Sequence, residues 1–262
     1  MAGLTADALL YELGMDEPEE IDVELVAAEF NAFVVYEEQL GCAACLVGYG
    51  DRAIISVEKK TSPERQRFSI GHELAHWLFD REKQVFHCKE ATLLEQWIAQ
   101  NVETRANRFA SDLILPRRLF EPRAQNLDPT FESVEKQRQK FNASLTATAI
   151  KFVECSSYSC MLCCYVEGRY KWCVRSGFFP EKLWPREWLS AGTLASKAHQ
   201  KKNPATPVSI NEWFDHPRLS SGKIVEDSTY SKNFRSTLSL LWWREKSPIL
   251  DDDEEEQWFD ED

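Results

Sequence analysis

The feature that most constrains this chain is the five-residue motif His72-Glu73-Leu74-Ala75-His76. It lies in a predicted helix that begins at Thr61-Ser62-Pro63-Glu64, where Thr61 and Glu64 fit a capping box, and runs to about Phe79. Residues four positions apart share one face of an α-helix, so both imidazoles can reach a single metal ion. Glu73 projects at a neighbouring angle, where it can polarise a water molecule. The fold must therefore bring a third ligand to this face.

A catalytic zinc site takes three protein ligands and leaves one position open for water. The pattern HExxHxxGxxH does not match, because Phe79 stands at its glycine and Glu82 at its third histidine. Glu103 is the favoured third ligand, because it lies on a second predicted helix whose small and polar residues allow close helix packing. His87 and Asp80 are the alternatives. We expect one divalent ion as the cofactor, zinc, with manganese as the alternative.

The sequence around these residues resembles the ImmA/IrrE family of metallopeptidases. The similarity lies in residues 65–71, which lead into the motif with an RxRF pattern, and in residues 103–116, which follow the pattern ExxANxFA. The resemblance implies that His72, His76 and Glu103 bind the metal ion and that Glu73 is the catalytic base. It also implies a protein substrate, a helix-turn-helix transcriptional repressor in a stress-response, prophage or mobile-element circuit.

The elements predicted around the motif indicate an α+β fold. Strands at about 33–36, 44–49 and 53–57 precede the motif helix, and the turn pair Gly50-Asp51 joins the last two strands in a hairpin. We expect a minimal gluzincin-like zinc-peptidase core, made of a small β-sheet, the HExxH helix and a Glu-bearing helix. A smaller C-terminal α/β region follows, and in it Glu167-Gly168 joins the strands of another hairpin.

Composition and turn residues divide the chain into four predicted segments. They are a metallopeptidase catalytic domain at 1–118, a helix-turn-helix-like segment at 119–155, a C-terminal region that senses a signal or selects substrate at 156–250, and an acidic tail at 251–262. The tail carries nine acidic residues and no basic one, which predicts a solvated, disordered segment. The rest of the chain is close to neutral and shows no general preference for nucleic acid.

The helix-turn-helix-like segment consists of two predicted helices, at about 131–141 and 145–154. Direct DNA binding would require exposed side chains such as Thr146, Thr148 and Lys151 on the second helix. Neighbouring acidic residues weaken the basic stripe, so a structural or protein-docking role is favoured over DNA binding. The alternative function for the whole chain is a protease-like scaffold that regulates by binding DNA or protein with little turnover.

Substrate is expected to bind as an extended strand. Ile54, Ile55, Ser56 and Val57 come directly before the motif helix, and as an edge strand they could pair with a peptide by β-addition. Burial as a central strand is the alternative for these residues.

The eight cysteines include two CxxC pairs, Cys42 with Cys45 and Cys160 with Cys163, more than a hundred residues apart. Both pairs lie in apolar, strand-like runs, which favours core packing over a second metal site or redox chemistry. No apolar run approaches the ~18 residues of a membrane helix, and the first residues lack the pattern of a signal peptide. We therefore expect a cytoplasmic protein without a membrane partner.

Overall fold

The chain forms two compact units, of which the first comprises residues 1–120 with 137–148 and the second residues 121–136 with 149–262. The predicted segment at 119–155 thus contributes residues to both units. The predicted mixture of helices and sheets is confirmed, since the described residues form seven α-helices and two β-sheets. In this computed structural model the described residues are 4–38, 41–80, 102–201, 203–215 and 222–243. The acidic tail lies outside them.

Two α-helices precede the first group of strands, and the other five lie between the first and second groups of strands. The helices are α1 (Ala6–Glu12), α2 (Val23–Glu29), α3 (Pro63–Phe79), α4 (Val102–Ile114), α5 (Arg117–Ala124), α6 (Phe131–Phe141) and α7 (Leu145–Cys155). The strands are β1 (Ala32–Glu37), β2 (Ala44–Tyr49), β3 (Arg52–Glu58), β4 (Cys160–Val166), β5 (Arg169–Arg175), β6 (Thr206–Ser209), β7 (Lys223–Ser231) and β8 (Ser236–Trp242).

Polar side chains fix where the early helices begin. The Thr5 hydroxyl accepts a hydrogen bond from the Ala8 N–H at the start of α1, and the Ser62 hydroxyl accepts one from the Arg65 N–H at the start of α3. Pro63 occupies the first turn of α3, where its missing N–H leaves no backbone bond unmade. The capping box predicted from Thr61 and Glu64 is wrong, because the N-cap of this helix is Ser62, one residue later than Thr61.

The first unit contains a three-stranded sheet in the order β1-β3-β2. β1 runs parallel to β3, and β2 runs antiparallel to it across the predicted hairpin, in which Gly50 has φ +62°. Side chains alternate between two faces: Ala53, Ile55 and Val57 are buried, whereas Ile54 is exposed on the opposite face. Helix α3 packs against β2 and β3 and is thereby held beneath the sheet.

Helices α3 and α4 cross at very close range. A Cβ atom at Gly71 would lie 3.2 Å from the Cα atom of Ala110, so the two backbones approach closely because both residues are small. Leu113 contributes a further contact on the same side, its Cδ2 atom 3.5 Å from that Cβ position. Since Gly71 directly precedes His72, this crossing sets the separation between the motif and α4.

The second unit contains a five-stranded antiparallel sheet in the order β5-β4-β8-β7-β6. The predicted hairpin between β4 and β5 is present, and Glu167 and Gly168 both have positive φ, as a type I′ turn requires. One face of the sheet packs against aromatic residues that include Trp213 and Phe214. Glu226 is buried in this core and accepts hydrogen bonds from the backbone N–H groups of Leu194 and Ala195.

Candidate metal centre

The motif residues lie on the buried side of α3. His72, Glu73 and His76 are all buried, Glu73 with only 1% of its surface exposed. The Nε2 atoms of the two histidines are 3.1 Å apart, so both rings point to one place, as the four-residue spacing predicts. Burial and the neighbouring His72 lower the pKa of His76, which favours the neutral imidazole, the form that binds a metal ion.

Helix α4 brings Glu103 to the same place. Its carboxylate oxygens lie 3.3 Å from the Nε2 atom of His72 and 3.5 Å from that of His76. Donor atoms around a tetrahedral zinc ion are about 3.3 Å apart when the bonds are ~2.0–2.1 Å long, so these three residues fit such an ion without rearrangement. Within the described ranges, this is the one group of three or more metal-binding side chains that converge.

The two alternatives for the third ligand have different outcomes. Asp80 is not a member of the converging group, but its Oδ2 atom lies 3.4 Å from Nδ1 of His76. Asp80 therefore contacts the ring nitrogen of His76 that points away from the converging group, and it is not placed to bind the ion. His87 lies outside the described residues. The geometry thus supports the favoured choice, Glu103.

Three residues that support the histidines were not singled out from the sequence for that purpose. The Asn107 side-chain oxygen lies 2.9 Å from Nδ1 of His72, which leaves Nε2 of that ring for the ion. Asp80 plays the same part for His76 and is itself held by Arg105, whose Nη2 atom is 2.6 Å from Oδ1. The spacing of Glu103 and Asn107, one helical turn apart, is the sequence pattern that could have indicated the first of these contacts.

Glu73 occupies a position different from that of the three candidate ligands. It is not part of the converging donor group, although it follows His72 directly and is buried. Helix α3, which carries Glu73, packs against β2, and the charge of Glu73 raises the pKa of Cys45 on that strand, after the larger effect of burial on that thiol. A buried carboxylate next to a candidate ligand, on a helix packed against an edge strand, is well placed to take a proton from a reacting water molecule.

The expected substrate strand requires a correction. Ile54, Ile55, Ser56 and Val57 belong to β3, which pairs with β1 on one side and β2 on the other. Their backbone groups are therefore used within the sheet, and β-addition of a peptide to these four residues is wrong. Among the described strands of this sheet, β1 and β2 are the edges, and β2 is the edge with the more extensive contact to α3, the helix that carries Glu73.

The cysteine pairs show no second metal centre within the described part of the chain. Cys160 and Cys163 are buried in the interior of β4, and burial raises the pKa of both thiols. They are packed as small apolar residues, as the sequence analysis favoured. Cys42 lies just before β2 and Cys45 lies within it, and both are partly buried.

Of the three side chains expected to be exposed on the second helix of the helix-turn-helix-like segment, Thr146 is partly exposed and the other two are buried. Thr148 is fully buried, and its hydroxyl donates to the Ser144 carbonyl. Lys151 is also buried and lies 3.7 Å from the Glu154 carboxylate. The expectation that both residues are exposed on the second helix is wrong, because each faces the interior or a local partner.

A mixed α/β fold in which two histidines and a glutamate converge beside a buried second glutamate is the arrangement of a metallopeptidase centre. A family model described as the IrrE N-terminal-like domain, Peptidase_M78, matches residues 19–152, just over half of the chain. The chain therefore belongs to this peptidase family, and the resemblance found in the sequence is confirmed. None of the curated proteins matches the sequence significantly.

Among solved structures, a Mycobacterium tuberculosis transcriptional regulator has a similar fold, with a TM-score of 0.59 and 15% sequence identity. The similarity covers 90% of this chain and 74% of that chain. At this identity the match shows a shared fold and carries no statement about activity. No helix among the described residues has the length and apolar character needed to span a membrane.

Proposed function

We propose that this protein is a zinc-dependent endopeptidase. The observation that carries the proposal is the convergence of His72, His76 and Glu103, with donor atoms 3.1–3.5 Å apart, next to the buried Glu73. Membership of a peptidase family supports the same conclusion. Zinc suits two imidazoles and a carboxylate in tetrahedral geometry, and manganese is the alternative ion.

Each residue has a defined part in the proposed reaction. His72, His76 and Glu103 hold the divalent ion, which when bound supplies Lewis acidity to the peptide carbonyl and the attacking water. Glu73 takes a proton from that water and passes it to the leaving nitrogen as the peptide bond breaks. Asn107 and Asp80 keep the histidine rings oriented through their Nδ1 atoms.

The scissile segment pairs with β2 in this proposal. β2 is an edge of the first sheet among the described strands and packs against α3, which carries Glu73, so a peptide added to the side of β2 that pairs with no described strand would pass close to the catalytic base. This replaces β3 as the substrate-binding strand and keeps the expected mode of binding, main-chain pairing in an extended conformation.

The proposed substrate is a helix-turn-helix transcriptional repressor, whose cleavage would relieve repression in a stress-response, prophage or mobile-element circuit. The family resemblance supports this choice, and the fold shared with a protein named as a transcriptional regulator is compatible with a regulatory setting. A repressor encoded next to this gene is the first candidate substrate. The proposed site of action is the cytoplasm.

The test compares the wild-type protein with Glu73→Gln, and uses Glu29→Gln on the exposed surface of α2 as the matched control. Metal content is measured by mass spectrometry, and cleavage of the candidate repressor is followed on gels. We expect Glu73→Gln to keep the bound ion and to lose cleavage, whereas Glu29→Gln keeps both. Normal turnover by Glu73→Gln would refute the assignment of the base. Tight repressor binding without cleavage by the metal-loaded wild type would instead support the scaffold alternative.

A further inference from the structure

The face of the first sheet that points away from α3 is unusually apolar. By strand alternation it carries Phe33 from β1, Ile54 from β3 and Val47 from β2, and the strand register places these three side by side in one row. All three are about half exposed. Tyr49, the next outward residue of β2 toward its end, is 90% exposed. We call these four residues, together with Cys45, the outer face.

The ends of the outer face are charged, which limits its apolar part. Arg52 pairs with Tyr49 at one end, and Glu37 pairs with Glu58 at the other. An exposed apolar area of this extent is on the order of a few hundred Å², below the ~800 Å² per partner of a stable protein dimer. A short extended segment is a better match in size than a second copy of this chain.

Side chains of a strand added to β2 would alternate between the two sides of the sheet. Those on the outer side would stand opposite Cys45, Val47 and Tyr49, with Cβ atoms about 4.5–5.5 Å away. These β2 residues are spaced about 6.8 Å apart along the strand, which is the spacing of every second residue in an extended peptide. An uncharged, apolar row at this spacing favours apolar residues at alternate peptide positions.

We propose that the outer-facing residues of β2, Val47 and Tyr49, select substrates with apolar side chains at every second position. The proposal rests on the peptidase function and on peptide pairing along β2. In antiparallel pairing, the peptide residues opposite Val47 and Tyr49 lie two and four positions N-terminal to the residue opposite Cys45. Gly48 packs against Trp77, and Glu73 lies one helical turn before Trp77 on the same side of α3. The charge of Glu73 acts on Cys45, so the catalytic base lies toward the Cys45 end of β2, and these two peptide positions fall on the N-terminal side of the segment at the base.

The experiment measures binding of two fluorescent dodecapeptides to the full-length, zinc-loaded Glu73→Gln protein by anisotropy. One peptide alternates Val and Thr, and the other has the same composition with Val residues in adjacent pairs. In the paired peptide, only one of the two residues opposite Val47 and Tyr49 is Val, so the two peptides differ by one cross-strand contact. Such a contact changes affinity by about 1.5- to 5-fold, and we expect the alternating peptide to bind more tightly by a factor in that range.

Matched substitutions then locate the contact. Val47→Thr keeps the shape and strand propensity of the side chain and should weaken the alternating peptide about two- to fivefold, as should Tyr49→Thr. Phe33→Thr, two strands away on the same face, and Leu25→Thr, exposed on α2, should leave binding unchanged.

Equal binding of the two peptides would overturn the proposal. So would an effect of Phe33→Thr as large as that of Val47→Thr, since it would show a partner that covers the whole face. If the proposal of peptidase function is wrong, the result is different. The alternating peptide then binds selectively, but the wild-type protein does not cleave it. The binding arm and the cleavage arm therefore test the two proposals separately.

Discussion

Removing the Asn107 side chain should weaken metal binding without unfolding the protein. Its oxygen lies 2.9 Å from Nδ1 of His72, and the residue is only 2% exposed. After Asn107→Ala, the His72 Nδ1–H group loses its acceptor, and water has little access to replace it. A buried donor left without an acceptor costs about 1–3 kcal/mol. Loss of such a support typically lowers metal affinity 10–100-fold, about 1.4–2.7 kcal/mol, and we expect a change in that range.

The assay is a zinc competition titration against a chromophoric chelator at neutral pH, with the unfolding temperature of the metal-free protein measured in parallel. Asn107→Asp keeps an acceptor oxygen at the same place and should bind zinc within a few-fold of the wild type. Ser111→Ala, one turn further along α4 and also buried, is the matched control for a small polar truncation in this helix.

Unchanged zinc affinity in a folded Asn107→Ala protein would refute the reasoning. It would mean that packing alone orients the His72 ring, so that the contact at Nδ1 is incidental to the metal centre. Equal losses for Asn107→Ala and Ser111→Ala would refute it as well, because the effect would then come from general loosening of α4.

Three further changes test other parts of the structure. Arg105→Gln should lower the free energy of unfolding by about 1–2 kcal/mol in urea titrations of the metal-free protein, because it leaves the buried Asp80 carboxylate without its ion pair. Gly71→Val should cost about 1–3 kcal/mol in the same assay and weaken zinc binding, because its side chain would push Ala110 and α4 away. Burial raises the pKa of Glu226, so the folded state retains this proton to higher pH than the unfolded chain. Its contribution to stability is therefore complete below about pH 4.5 and declines as the pH rises through the folded pKa, a decline that Glu226→Gln should abolish in unfolding titrations across this range.

Most of the metal centre could be predicted from the sequence because its geometry is local. The two histidines need only a helix, and Ser62 and Pro63 start that helix within one residue of the predicted position. Glu103 required a non-local inference, which succeeded because small residues such as Ala106 and Ala110 follow it on α4 and allow close contact with α3. The family resemblance supplied the same residue independently.

The order of the strands could not be predicted in this way. The hairpin between β2 and β3 is marked by Gly50, but nothing local shows which strand occupies the other side of β3. That place is taken by β1, and β3 comes back to lie parallel to it after the chain has passed through β2. One feature of the sequence does favour a central strand: Ile54 and Ile55 are both large and apolar although they face opposite sides of the sheet.

The helix-turn-helix-like segment shows a second limit of local patterns. Its two helices lie within a residue of their predicted bounds, at Phe131–Phe141 and Leu145–Cys155. The exposure of individual residues depends on the surrounding fold instead, and Thr148 turns inward despite its polar side chain. A polar residue in a helix can satisfy its hydroxyl on the preceding turn, as Thr148 does with Ser144, and so remain buried at little cost.

A single contact links the edge strand proposed for substrate to the helix that carries the motif. At Gly48 in β2, a Cβ atom would lie 2.8 Å from the Cζ3 atom of the Trp77 ring, so only glycine lets the indole approach the strand. The Trp77 Nε1–H also donates to the Phe30 carbonyl at 2.8 Å, which fixes the ring at its other end. Because Trp77 directly follows His76, these contacts set the rotation of α3 relative to β2. Glycine normally weakens a strand. At position 48 it is required, because the close approach of Trp77 sets the distance between β2, which would hold the peptide, and the Glu73 carboxylate, which would act on it.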